Sequence, residues 1–417
     1  MIMALLIFGF LFAWLSYKDI KLAIYVVVAF LPSYLIRSSI FNLPFTLLEM
    51  MIILVFLSFL IKNKLSWLGE FKNNVFFWPM VAILAIATIS LLISPNWLKA
   101  AGSWKAYFIE PILFYIVLTA TIKSKKQLEN VFWALGISAT YLSLIAFGQY
   151  FSGWNMPESF LKQDGSVDRV VSIFGYPNAL GLYLGPIIIL FTGFNWWSKS
   201  KTIIQALKIA IILVSFITII LAKSEAAIFS VLLVWLLGGI IYKKTRSYFI
   251  ILAILAVLTL TLIPSVNSYV SEKIWLRDWS GIVRRHIWQE TWAMLKDNPV
   301  LGAGLAGYQT KIVPYHIGKF EIFLYPHNII LNFWSELGLL GLASFIWLWI
   351  KFGLVNLKAY WQNKNNLLNL TLLMVISQML IQGLADVPYF KNDLSVLFWL
   401  IIGIYTINLK ITKNVKS

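Results

Sequence analysis

The chain has no cysteine and little charge. Of its 417 residues none is Cys, three are His and only 12% are Asp, Glu, Lys or Arg. Without cysteine there is no disulfide framework and no thiolate-ligated metal. Soluble domains carry roughly 25% charged residues, so this chain lacks the polar surface with which a water-soluble fold covers its core. It also lacks apparent internal repeats, low-complexity tracts and linkers. No His/Asp/Cys group shows metal-ligand spacing, and no cofactor is expected.

What the chain does have is apolar length. Hydrophobic residues make up 60% of it, including 19 Trp. Apolar runs fall near 1–17, 22–36, 44–61, 75–93, 105–121, 129–151, 174–195, 204–222, 225–242, 247–265, 327–355, 367–385 and 394–410. A helical span of about 30 Å of hydrocarbon needs about 20 such residues. Aromatics close many of the runs, as in Phe77-Trp78 and Trp196-Trp197, where interfacial belts belong. The expected fold is therefore all-α: one polytopic membrane domain over residues 1–417, with twelve or thirteen transmembrane helices. The first run precedes the first basic residue, Lys18. That order is wrong for a cleaved signal, so the run reads as a retained helix.

The net charge is +17. Its placement argues against a nucleic-acid partner and for membrane lipid. Lysines occupy every second connection, as at Lys62, Lys64 and Lys72 or Lys243 and Lys244. The positive-inside rule assigns those connections to the cytoplasm. The alternate connections, near 37–43, 94–104, 152–173, 223–224, 266–326 and 386–393, then face outward. The stretch 266–326 is the one long extracytoplasmic loop, expected to carry short amphipathic helices. A loop of that length is usually functional.

Arginine sorts differently from lysine. Five of the six arginines (Arg37, Arg169, Arg277, Arg284 and Arg285) fall in outward connections. Lysine suffices as an orientation signal, whereas a guanidinium fork matches phosphate oxygens. The pattern points to an anionic ligand on the outer side. Three acids, Glu49, Glu110 and Asp386, also lie toward the outer ends of their runs. A carboxylate in a span is costly and is a functional candidate by default.

Three segments concentrate chemistry. In Arg284–Lys296 the spacing of Arg284, Trp288, Trp292 and Leu295 puts them on one helical face, expected to lie aromatics-down at the membrane surface. Pro299, Gly302 and Gly304 end that helix in a tight turn. At His327–Gly341 a long apolar helix opens just after His327, whose imidazole is a candidate proton acceptor. At Asp168–Ala179, Tyr176-Pro177-Asn178 starts another helix, with Arg169 just before it.

Together these segments resemble the O-antigen ligase and polymerase family of bacterial envelope glycosyltransferases. Arg284 and Trp288 followed by Pro299, Gly302 and Gly304 carry one motif. His327, Asn328, Leu331, Glu336, Gly338 and Gly341 carry a second, and Arg169 with Pro177-Asn178 fits an earlier loop. The resembling core covers about 165–345. One departure stands out: where family members often carry Ser-Arg-Gly in a short turn, this chain reads Lys223-Ser224-Glu225.

The resemblance implies transfer of a glycan from an undecaprenyl-diphosphate carrier to a lipid, glycan or protein acceptor, as in lipopolysaccharide assembly, at the outer face of the bacterial cytoplasmic (inner) membrane. Arg169 and Arg284 would meet the diphosphate charge, and His327 would take the acceptor's proton. Arg285, Lys223, Asn328, Trp288 and Glu336 would bind substrate. A polymerase of glycan repeats on the same carrier is the alternative within the enzyme class. A lipid-linked sugar transporter is the alternative outside it, and would predict inverted repeats and polar groups at the midplane.

Overall fold

The structure, a computed structural model, describes residues 2–40, 43–64, 66–198, 201–364 and 366–414; part of the expected turn at 37–43 lies outside them. Its regular structure is helical apart from one small hairpin and an isolated bridge between Leu161 and Val167. The α-helices are α1 Ile2–Lys18, α2 Ile20–Ala29, α3 Leu47–Asn63, α4 Leu68–Lys72, α5 Phe77–Leu92, α6 Trp97–Trp104, α7 Glu110–Thr121, α8 Lys125–Ser152 and α9 Pro177–Trp197. They continue as α10 Thr202–Leu221, α11 Glu225–Ile241, α12 Arg246–Leu262, α13 Pro264–Ile274, α14 Trp279–Asp297, α15 Tyr308–Lys311, α16 Ile329–Gln362, α17 Leu367–Gly383 and α18 Asn392–Asn414. The hairpin pairs β1 (Arg37–Ile40) antiparallel with β2 (Leu43–Thr46).

Every apolar run is helical over most of its length, and the chain is an all-α polytopic membrane protein. Among the described residues five helices, α8, α9, α10, α16 and α18, are each long and apolar enough to cross a membrane. A sixth is added if α12 and the segment after it, bent by 97°, count as one span. The other runs fold into shorter pieces. Helices α1, α3, α11, α12 and α17 have 17 residues each, at the short end of the spanning range of about 17–25. Caps do the shortening. Asp19 accepts hydrogen bonds from Lys21 and Leu22 and so starts α2 directly behind α1. After Ala29 the chain tightens into a 3₁₀ turn, Leu31–Leu35, around Pro32.

Lipid is the solvent for the outer helices. Helix α12 buries none of its residues, and Ile250, Leu258 and other apolar side chains point outward. The opposite extreme is α9, buried along most of its length and packed against α8, α10, α11 and α17. Small residues allow this closeness, as is usual between membrane helices. A Cβ added at Gly193 would lie 1.8 Å from Thr371 Oγ1 on α17.

The two kinds of connection lie at opposite ends. Lys62 bonds the Lys18 carbonyl, and Lys410 pairs with Glu70 at 2.7 Å while bonding the Thr119 carbonyl. The lysine-rich connections therefore gather together. At the other end Ser94 meets Leu305, Arg169 meets Ala222 and Arg284 meets Ala385.

Helix α16 is broken at Gly338, whose backbone adopts φ 69° and ψ −175°. The turn after α14 docks into the break. Leu339 N–H donates to the Val300 carbonyl at 3.0 Å, and Ala303 N–H donates to the Ser335 carbonyl at 2.7 Å. A Cβ at Gly338 would lie 2.0 Å from Val300 O. Gly338→Ala is therefore expected to destabilise the protein by about 2 kcal/mol or more, since both the positive φ and the overlap act against it. Thermal unfolding in detergent checks this; an unchanged midpoint would contradict the docking.

Candidate functional site

At the arginine end four segments meet: the loop before α9, helix α14, the loop before α16 and the connection 384–391. Each is fastened by its own polar chemistry. Asn328 caps α16, accepting from Ile330 N–H at 3.0 Å and Leu331 N–H at 3.1 Å; such caps are worth about 1 kcal/mol. Its amide also donates to the Leu384 carbonyl at 3.0 Å. Trp288 Nε1 donates to the Pro326 carbonyl at 2.9 Å, holding α14 to the same loop. Glu336 is buried, and its carboxylate accepts from Ala306 N–H in the glycine turn. Gly302 and Gly304 take φ of 63° and 79° there, as the turn required.

The two arginines are held at one edge of their forks. Arg169 donates from Nε to the Ala222 carbonyl at 2.9 Å, and from Nη2 to Asn178 at 3.1 Å and the Lys223 carbonyl at 3.3 Å. Arg284 donates from Nε to the Ala385 carbonyl at 2.9 Å and from Nη1 to Ser280 at 2.5 Å. Arg169 Nη1 and Arg284 Nη2 make no hydrogen bond among the described residues. Both side chains are half-buried. Burial pushes the Arg169 pKa down, and the charge of Arg284 pushes the same way, while Asp168 and Glu225 oppose it. A guanidinium stays charged regardless. Two cations that feel one another, each with donors to spare, form an anion-seeking surface.

His327 sits beside them in a left-handed conformation, φ 47°, uncommon for a side-chain-bearing residue. That turn brings its Nδ1 to 3.4 Å from Asp386 Oδ1, a contact short of a hydrogen bond, since Nδ1 is buried with no hydrogen-bond partner among the described residues. The imidazole rests on Tyr325 (ring centroids 4.5 Å apart) and Phe323 (5.6 Å). The Asp386 carboxylate is buried and also accepts from Val387 N–H at 2.9 Å. With Nδ1 buried on the carboxylate side, Nε2 is the nitrogen left for other partners. The Ala385 and Asp386 backbone thus brings the partners of Arg284 and His327 together in consecutive residues.

The remaining residues singled out in the sequence are distributed unevenly. Lys223 pairs with Asp168 at 2.6 Å, so its charge is already matched. Arg285 is exposed and makes no hydrogen bond or ion pair among the described residues. Asn328, Trp288 and Glu336 spend their polar atoms on backbone, as described above. On α14 Leu295 is buried, and Trp292 is 47% exposed and packs edge-on against Trp334. Glu49 pairs with Lys105, and Glu110 is buried with no hydrogen-bond partner for either oxygen among the described residues.

The sequence reading did not join Asp386 to His327, and it passed over Lys391 and Asp393. Lys391 Nζ and both Asp393 oxygens are buried without a hydrogen-bond partner among the described residues. Burial pushes the Lys391 pKa down, against the pull of Asp393 and Asp386. A Lys-x-Asp pair at the start of the last apolar run was the available signal. Among the described residues no three or more His, Cys, Asp or Glu side chains gather as metal donors.

Comparison with known proteins adds a family. Residues 209–346 match the model of the O-antigen ligase family. The match spans Arg284, the glycine turn and His327, and starts after Arg169. An O-antigen ligase of Salmonella typhimurium (strain LT2) is 24% identical over 299 residues, covering 67% of this chain and 69% of the relative. The resemblance carried by the motifs therefore holds, and the half of the site built from Arg284 and His327 lies in an O-antigen ligase family match.

Proposed function

We propose that this membrane protein is a glycan-transferring enzyme whose donor is an undecaprenyl-diphosphate-linked glycan and whose acceptor is a hydroxyl on a lipid, glycan or protein, with the site at the outer face of the cytoplasmic membrane. One observation carries the reading: the half-tethered Arg284 guanidinium and the His327–Asp386 pair are joined through Ala385 and Asp386, with the half-tethered Arg169 close enough to feel the charge of Arg284.

The bonds balance simply. The acceptor oxygen attacks the anomeric carbon of the glycan. The bond from that carbon to the diphosphate breaks, and undecaprenyl diphosphate leaves with the electron pair. The acceptor proton passes to His327 Nε2. Arg169 and Arg284 face charge that grows on the diphosphate as the bond breaks, and donors fixed in advance stabilise such charge without reorganising. Asp386 holds the imidazole and balances the imidazolium, as the carboxylate does in a Ser-His-Asp triad. Asn328, Trp288 and Glu336 are read as the scaffold that presents these groups, and Lys223 as the clasp on Asp168 beside Arg169. Arg285 is left as an auxiliary cation at the rim.

The testing experiment incubates the purified protein with a defined diphosphate-linked oligosaccharide and candidate acceptors, followed by mass analysis. Transfer to a lipid or protein acceptor supports a ligase; products lengthened by whole repeats support a polymerase; absence of both removes the reading. Guanidinium groups here take the role that a divalent cation has in many sugar-nucleotide transferases. Transfer is accordingly expected to survive EDTA at full rate. A collapse restored by added Mg²⁺ or Mn²⁺ would overturn that part.

A further inference from the structure

Behind the His327–Asp386 pair lies a charge with no assigned work. The Lys391 ammonium is enclosed by three aromatic rings, with Nζ 4.3 Å from the centroid of Phe174, 5.1 Å from Tyr176 and 5.3 Å from Tyr34. These come from the loop before α9 and the 3₁₀ turn after α2, so the lysine gathers segments distant in sequence. No hydrogen-bond partner among the described residues reaches Nζ. The charges of Asp386 and Asp393 both act on it, as does that of Arg37 from β1. A buried ammonium without hydrogen bonds is costly, and cation–π contact with counter-charges is its compensation.

The cage is continuous with the site. Tyr176 forms one wall, and its hydroxyl interacts with that of Tyr325. Tyr325 in turn lies against the His327 ring and against Asp386. Lys391 thus acts on the pair by two routes, through its charge interaction with Asp386 and through the Tyr176 ring, whose hydroxyl interacts with Tyr325.

We propose that Lys391 is a positioning residue for the His327–Asp386 pair: its caged ammonium holds the Asp386 carboxylate and the Tyr176–Tyr325 wall where the imidazole needs them. It does not contact the glycan or the diphosphate. The inference rests on the function proposed above.

Glycan transfer from a diphosphate-linked oligosaccharide is measured for wild type, Lys391→Met, Lys391→Arg, Asp386→Asn and the double variant. Displacing a catalytic group by about 1 Å costs about 10²-fold, so Lys391→Met is expected to lower kcat by about that factor. The donor KM stays within about twofold, because the arginines are untouched, and Lys391→Arg recovers most of the rate. If Lys391 works through Asp386, Lys391→Met adds no further loss in the Asp386→Asn background. Multiplying losses, a raised donor KM or a wild-type kcat in Lys391→Met would each overturn the proposal. Should Lys391→Met fail to fold, Phe174→Leu opens the cage while keeping every charge. It should lower kcat several-fold in the wild-type background and not at all in Asp386→Asn; a folded Phe174→Leu protein with unchanged kcat overturns the proposal as well. A wild-type protein that transfers no glycan defeats the enzyme reading itself. An active wild type with a dead His327→Ala and a normal Lys391→Met defeats only this inference.

Discussion

His327→Ala is expected to lower the glycan-transfer rate by about 10²–10⁴-fold, the usual worth of a positioned general base, with little change in donor affinity. The imidazole faces Asp386 and two aromatic rings, while the donor's diphosphate is assigned to the guanidinium groups. Its loss should therefore appear in kcat and leave KM nearly alone. Asp386→Asn should fall in the same direction, since an amide can turn its NH₂ group to Nδ1 and favour the wrong tautomer. Folding is a separate matter: Asn328, and not His327, caps α16 and ties it to Leu384. The variant should therefore keep the wild-type unfolding midpoint. Transfer by folded His327→Ala at close to the wild-type rate would remove the imidazole from the chemistry.

Arg284→Ala should cost about 10²–10³-fold in transfer rate, the measured scale for removing one preorganised donor from a charge that grows during reaction. The lysine variant is the sharper probe. Arginine can spend Nε on the Ala385 carbonyl and one amino group on Ser280 while keeping the other free. Lysine is a point charge on a flexible stem and cannot meet the carbonyl and the ligand in one fixed geometry. Arg284→Lys should therefore rescue only a small part of the loss. The same logic applies to Arg169, whose Nε and Nη2 are held by Ala222, Lys223 and Asn178. Arg285→Ala, by contrast, should stay close to wild type, because that side chain is exposed and tied to nothing described. Full rescue by Arg284→Lys, or a larger loss in Arg285→Ala than in Arg284→Ala, would reassign the cations.

The helices were legible because lipid imposes a simple rule: an apolar run long enough to hide its backbone becomes a helix. Boundaries were less legible, since they depend on single caps such as Asp19 and on Pro32. The start of α9 at Pro177 and the turn at Gly302 and Gly304 were readable, as Pro and Gly act locally. The His327–Asp386 pair was not. Its members belong to different loops, and only the left-handed turn at His327 aims one at the other. Motif matching also could not separate groups that face a ligand from groups that hold the frame. Glu336, Asn328 and Trp288 sit in the motifs as visibly as Arg284, yet their polar atoms bind backbone. Trp292 and Leu295 share one stripe yet meet different surroundings: Leu295 is buried, and Trp292 packs edge-on against Trp334 with half its surface open.

The interruption of α16 at Gly338 has a bearing on how this end of the molecule opens. Around it the Ser335 carbonyl is satisfied by Ala303, the Glu336 carbonyl by the Ser90 hydroxyl, and the Leu339 amide by Val300. Ser90, Ser335 and Glu336 are buried in the protein, so these groups have no water to fall back on. The first three turns of α16, the 298–307 segment and the end of α5 must then come apart together or not at all. Their amides should exchange with deuterium as one cooperative block, slower than the exposed α13 and at a single shared rate.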